Sequence, residues 1–225
     1  MIRLIIFDWD GTIAIGAAEG YLNCYRETLK KLNLDFSGRE AEIRNLITTG
    51  PTHIQELAIL FKTKPELVDK ARKIYEAELV SDSLLKYVRI IPGTGALLAR
   101  LKEKYVLAVT TGTMHAVVEA VLKKFNLPNV FGQILTHHDL PDIKLAKPNA
   151  YMAEQILHRQ NIRPEEAIVV GDGSWDVGMA VSAGIIPVAV LTGYLKAAEA
   201  RNLGAKFVIP DVTHLEGVLN QLLTD

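Results

Sequence analysis

Asp8 and Asp10 stand two residues apart in the run Phe7-Asp8-Trp9-Asp10-Gly11-Thr12, directly after the apolar stretch Leu4-Ile5-Ile6. Residues i and i+2 of a strand share a face, so the two carboxylates are expected to leave the end of a buried strand together. Like charges that close repel unless a cation or a shared proton relieves them, which points to a metal site, an acid/base pair or both. Gly11 and Thr12 follow as small, turn-forming residues whose backbone N–H groups suit an anion.

Three more polar groups are placed at or near the ends of apolar runs. Val106-Leu107-Ala108-Val109 leads into Thr110-Thr111-Gly112-Thr113, where hydroxyls and a glycine ahead of a helix suit an anionic oxygen. Lys147-Pro148 places a cation at an expected helix start, and Ala167-Ile168-Val169-Val170 leads into Gly171-Asp172-Gly173-Ser174-Trp175-Asp176. Taken singly, Thr110 is better read as a helix N-cap, Lys147 as a solvated charge, and Asp172 and Asp176 as caps. Four such ends on one edge exceed what packing requires, and buried carboxylates cost free energy unless paired or metal-bound.

The elements that must carry these residues follow from periodicity. Segments 17–33, 38–48, 51–62, 65–80 and 82–88 carry helical patterns, broken at Ser37-Gly38, Gly50-Pro51 and Lys64-Pro65. From Ile91-Pro92-Gly93 onward strands (105–110, 133–136, 167–171, 186–191, 206–209) alternate with helices (93–103, 114–125, 148–160, 175–183, 195–202, 213–223). Alternation with continuously apolar strands predicts an α/β fold, a doubly wound parallel sheet covered on both faces. Residues 1–15 and 90–225 then form the core domain, and 16–89 an inserted helical domain. Both ends of the insertion return to the carboxyl edge of the sheet, where ligands bind, so a lid is its expected role.

With 25 Lys and Arg against 26 acidic residues, the net charge of −1 carries no basic footprint, so no nucleic-acid partner is expected. No basic-then-apolar leader and no run long enough to span a bilayer is present, which sets the expectation of no membrane partner and a cytoplasmic location. The single cysteine, Cys24, excludes an internal disulfide and a Cys-based zinc cluster, and reads as a small buried thiol.

Asp8-Trp9-Asp10-Gly11-Thr12 resembles the DxDGT first motif of the haloacid dehalogenase-like (HAD) hydrolase superfamily. Thr110 resembles its second motif, Lys147 its third, and Gly171-Asp172-Gly173-Ser174-Trp175-Asp176 its GDxxxD fourth, while Ile91-Pro92-Gly93 resembles the return from the cap. The resemblance implies a Rossmann-like HAD core with an α-helical C1-type cap, and Mg²⁺-dependent hydrolysis of a small phosphorylated metabolite. It implies Asp8 as nucleophile and metal ligand, Asp10 as proton carrier with its backbone carbonyl on the metal, and Asp172 and Asp176 as further metal ligands. Thr110 and Lys147 would hold the phosphoryl oxygens, with Gly11, Thr111 and Gly112 as further substrate contacts. A carboxylate at Asp10 favours phosphate esters over dehalogenation.

The C1 type of cap is shared by phosphoglycolate phosphatase-like members and β-phosphoglucomutase. Thr48-Thr49-Gly50-Pro51-Thr52 resembles the turn that reaches over the site in the former, making Thr49 and Gly50 candidate substrate contacts; an ordinary interhelical turn explains it equally well. Arg44 and His53 flank that turn as candidates for a substrate carboxylate. Ile13-Ala14-Ile15-Gly16 departs from the usual acidic and hydroxyl residues, Thr111 stands where asparagine is common, and the acidic-and-His segment of mutases is missing. The expectation is hydrolysis of a phosphoglycolate-like monoester through an aspartyl-phosphate, by a monomer or homodimer. The alternatives are a phosphotransferase or mutase of the β-phosphoglucomutase type, or a non-catalytic module phosphorylated on Asp8. Trp9 is expected to pack into the sheet face, and Trp175 to be partly exposed.

Overall fold

A computed structural model describes residues 1–49 and 52–224 of the chain. Its strands are β1 (Leu4–Phe7), β2 (Ala14–Ile15), β3 (Arg89–Ile90), β4 (Val106–Thr111), β5 (Gln133–Thr136), β6 (Ala167–Gly171), β7 (Ile186–Val190) and β8 (Phe207–Ile209). The helices are α1 (Ala17–Lys31), α2 (Glu40–Thr49), α3 (His53–Leu60), α4 (Val68–Leu79), α5 (Asp82–Leu85), α6 (Thr94–Lys102), α7 (His115–Lys124), α8 (Tyr151–Gln160), α9 (Ser174–Ser182), α10 (Ala197–Asn202) and α11 (Leu215–Thr224).

Six strands form one parallel sheet in the order β5-β4-β1-β6-β7-β8. Chain order therefore reverses at β1, between its neighbours β4 and β6, and a crevice opens at the carboxyl ends there. The register pairs Phe7 with Val109 on one side and with Val170 on the other, so Asp8 is the next residue out, beside Thr110 and Gly171. Alternate residues of β1 serve opposite faces, as a doubly covered strand requires. Ile5 and Phe7 join Leu107, Val109, Ile168 and Val170 in one buried cluster, while Leu4 and Ile6 join Ala108, Val169, Met152, Ile156 and Met179 in another.

Helices α1 to α5 lie between the two passes of a small antiparallel ribbon, in which β2 pairs with β3 through Ala14 with Ile90 and Ile15 with Arg89. The first cluster continues from the sheet into these helices through Leu22, Cys24, Tyr25, Leu57 and Tyr75, so the insertion shares apolar burial with the core. Helix α1 packs on α2, α4 and α5. Cys24 is buried as expected, and burial pushes its thiol up to about 12. Trp9 is fully buried, edge-on to Phe131 at 6.3 Å between ring centroids, and Trp175 is 50% exposed. Among the described residues no helix is long and apolar enough to cross a membrane.

The helices and main-sheet strands expected from periodicity are all present, with ends shifted by a few residues. The ribbon β2–β3 was not expected, because two-residue strands are too short for a period of two to register. Helix α8 begins at Tyr151 rather than at Pro148, and α10 at Ala197 rather than at 195, where the backbone N–H of Leu195 meets the Asp172 carbonyl at 3.0 Å.

Within the insertion, Glu56 is buried and accepts a hydrogen bond from the Tyr25 hydroxyl at 2.5 Å. Burial raises its carboxyl from 4.5 to about 7 against the opposing effect of that bond. Folded protein thus holds this proton more tightly than unfolded protein, and the associated stability is lost as pH rises from about 4.5 through about 7. The size is about 3 kcal/mol at most. Glu56→Gln is expected to flatten the fall of the thermal midpoint across that window; an unchanged pH slope in thermal melts would show that Glu56 does not titrate in this way.

Candidate active site

The end of β1 is where the chain turns. The Trp9 carbonyl accepts hydrogen bonds from the N–H groups of Ile13 and Ala14, both at 2.9 Å, and Gly11 takes φ +83°, a conformation glycine adopts without cost. The strand itself stops at Phe7, and beyond it the two carboxylates take separate partners.

Asp8 accepts from the Lys147 ammonium at 2.6 Å, and the same ammonium donates to Asp176 at 2.7 Å. The Lys147 side chain is 4% exposed, and the residue lies in a loop ahead of α8 rather than at its first turn. Carboxylate oxygens of Asp8, Asp172 and Asp176 lie within 4.8 Å of one another. Asp176 also accepts from the Gly173 N–H at 3.0 Å at the start of α9, so it serves as a helix cap and as a member of the cluster. Asp172 accepts from the Tyr194 N–H at 3.2 Å.

Burial raises Asp8 well above the ordinary carboxylate value, and the charges of Asp176 and Asp172 add to the rise against the pull of Lys147. Burial and then Asp176 push Asp172 up to about 7. Burial lowers the Lys147 ammonium, but Asp176 and Asp8 outweigh it and hold the group above its usual value. When all four are ionised, three carboxylates and one ammonium leave a surplus of two negative charges in a space with little water. That surplus, offered by hard oxygen donors, fits a divalent cation of the Mg²⁺ or Ca²⁺ type.

The Asp10 carboxylate takes other partners. Its Oδ2 accepts from the Tyr21 hydroxyl at 2.9 Å and from the Thr113 hydroxyl. Burial raises its carboxyl, and the bonds from Thr113 and Tyr21 oppose the rise. Burial and the Asp10 charge hold the Tyr21 phenol well above its ordinary value, which keeps it a donor. The metal contact expected of Asp10 was through its backbone carbonyl, and its carboxylate is not one of the clustered three.

Thr110 is fully buried at the end of β4, and its hydroxyl has no hydrogen-bond partner; the Thr12 hydroxyl is in the same condition. A buried hydroxyl left unpaired costs on the order of 1–3 kcal/mol, so an incoming oxygen acceptor is favoured there. Thr111 is spent on the backbone, accepting from the Thr113 N–H at 3.0 Å, and Gly112 lies against the His137 ring. Arg44 forks onto Glu19 at 2.6 and 3.0 Å and also meets Glu40, so a substrate carboxylate would have to displace Glu19. His53 is buried against Tyr75 and His138 with its Nε2 3.2 Å from Glu76, and burial lowers its pKa. Thr49 closes α2, and Gly50 lies outside the described residues.

Sequence reasoning missed Tyr21 and the loop Thr192-Gly193-Tyr194. The latter follows the apolar strand β7 and is a further strand end on the same edge, a signal that was open to reading. Thr192 donates to the Gly11 carbonyl, and a Cβ at either Gly11 or Gly193 would collide with the Asp172 carboxylate. Asp172 is thus seated between two glycines.

Residues 5–190 match the family model for haloacid dehalogenase-like hydrolases. The chain belongs to that family. Its HAD-type core is also recognisable in whole-chain likeness. A phosphoglycolate phosphatase from Haemophilus influenzae is 26% identical over 227 residues, spanning 96% of this chain and 98% of the relative. A phosphoglycolate phosphatase from Aquifex aeolicus is 27% identical over 196 residues, spanning 87% of each chain. Among solved structures, a predicted phosphoglycolate phosphatase from Haemophilus somnus superposes with a TM-score of 0.79 at 21% identity, covering 97% of this chain and 98% of that one. As a HAD hydrolase the protein is an enzyme.

Mg²⁺ at about a hundredfold excess over its Kd is expected to raise the thermal midpoint by roughly 5–10 °C. In Gly193→Ala, whose methyl group would displace the Asp172 carboxylate, that Mg²⁺-dependent rise is expected to vanish; a full rise in the variant would remove Asp172 from the ion site.

Proposed function

We propose that this HAD hydrolase is a phosphatase of small phosphate monoesters, with a phosphorylated two-carbon or similarly small hydroxy acid as substrate. The observation that carries the reading is the pairing of the buried Asp8–Lys147 contact with an unpaired Thr110 hydroxyl on the next strand. That combination offers a nucleophile and donors for phosphoryl oxygens in one crevice. The relatives named phosphoglycolate phosphatase support the substrate class.

Asp8 would bring a carboxylate oxygen to phosphorus in line with the leaving oxygen. As the new O–P bond forms and the ester O–P bond breaks, Asp10 passes a proton to the departing alkoxide. Asp10 then takes a proton from water as that water attacks the aspartyl-phosphate, which returns Asp8 and releases phosphate. Lys147 and Thr110 donate to phosphoryl oxygens, where charge accumulates, and do so from fixed positions. Asp8, Asp172 and Asp176, with the Asp10 carbonyl, are the groups that would hold Mg²⁺, which when bound supplies positive charge against the phosphate. The helices α1 to α5 would act as the cap that excludes water and selects the ester.

Asp8→Asn keeps the shape and removes one of the repelling charges, so its thermal midpoint should not fall. Hydrolysis of p-nitrophenyl phosphate is expected to drop by a factor on the order of 10⁴ or more; retained turnover would remove Asp8 as nucleophile. With purified protein and Mg²⁺, a panel of phosphorylated metabolites read by phosphate release is expected to rank phosphoglycolate and its near neighbours first. A preference for sugar phosphates, with transfer to a second sugar, would favour the mutase alternative instead.

A further inference from the structure

Asp10 is held by two hydroxyls that come from different parts of the chain. Thr113 belongs to the loop after β4, and Tyr21 to α1, the first helix of the insertion. The two hydroxyl oxygens are 2.9 Å from each other and both reach the same carboxylate atom, Oδ2. Two hydroxyl protons are available, and donating both to the charged acceptor is the stronger arrangement. The Tyr21 ring is partly buried against the apolar cluster shared by sheet and insertion, which limits where its hydroxyl can go.

We propose that Tyr21 is a positioning residue: together with Thr113 it occupies Oδ2 of Asp10, so that the transferable proton resides on Oδ1 and is aimed at the leaving oxygen. This rests on the phosphatase reading above. A carboxylic acid can carry its proton on either oxygen and in several orientations, of which one serves the reaction. Two donors on Oδ2 disfavour a proton there and fix the rotation of the group. The proton that leaves Oδ1 goes to the alkoxide as the ester O–P bond breaks, and Oδ1 receives the next one from water; Tyr21 itself gives up no proton. Because the hydroxyl arrives on α1, this arrangement exists only when the insertion is seated on the core.

The role makes a prediction that simple loss of packing does not. An alkyl phosphate needs a proton on its leaving oxygen, whereas p-nitrophenolate departs without one. Tyr21→Phe, measured with Mg²⁺ as kcat/KM through the first irreversible step, is expected to lose about 10–100-fold on phosphoglycolate or glycerol phosphate. The loss on p-nitrophenyl phosphate should be several-fold smaller, with KM values for both changing little. Thr113→Val, which removes the other donor, should show the same selectivity and keeps the question answerable if Tyr21→Phe misfolds in a thermal melt. Equal losses on the two ester types, or no loss on the alkyl phosphate, would overturn the positioning role while leaving the phosphatase reading intact. A wild-type protein inactive on both esters would overturn the phosphatase reading and this inference with it.

Discussion

The buried ammonium of Lys147 among three carboxylates is the constraint around which the sheet edge is arranged. Each of these charges has lost most of its water, and in such surroundings an ion is tolerated only when its partner is close and well directed. Lys147 meets Asp8 at 2.6 Å and Asp176 at 2.7 Å, joining residues 139 and 29 positions away in the chain. Removing the one ammonium would leave buried carboxylates uncompensated, a loss of about 3–5 kcal/mol and a large share of what a domain has to spare. Yet one ammonium cannot balance three carboxylates. Burial, with the neighbouring carboxylate charges adding to it, holds Asp8 and Asp172 above their ordinary pKa range, and the surplus makes the site suited to a cation.

Other features of the edge serve that imbalance. Asp172 is packed between Gly11 and Gly193, where no larger residue fits, and the Tyr194 N–H supplies a donor where Lys147 does not reach. Beyond the turn after β1, the Asp10 carboxylate is not one of the clustered three. It finds neutral hydroxyl donors instead, so one crevice contains a carboxylate paired with a cation and a carboxylate held by hydroxyls. Different environments for similar groups are how a single site separates a nucleophile from a proton carrier.

The sheet and its edge were legible because strand and helix patterns are local. The apolar runs ending in Asp8, Thr110 and Asp172 state their own burial, and right-handed crossovers then bring their carboxyl ends together. The ribbon β2–β3 was not legible, since two residues carry no period. The placement of Arg44 was not legible either: its fork belongs to Glu19, which is 25 residues away and reached only through the packing of α2 on α1.

Residue types and their order along the chain determined the class of fold, the family and the carboxylate-rich edge, because each rests on patterns within a few residues. Which carboxylate meets which donor was decided only by the tertiary structure. Tyr21 lies 11 residues beyond Asp10 in an unremarkable amphipathic helix, and Thr113 lies 103 residues from it. A hydrogen bond forms or fails over a few tenths of an ångström, and that precision comes from how the insertion seats on the core, which no local pattern encodes.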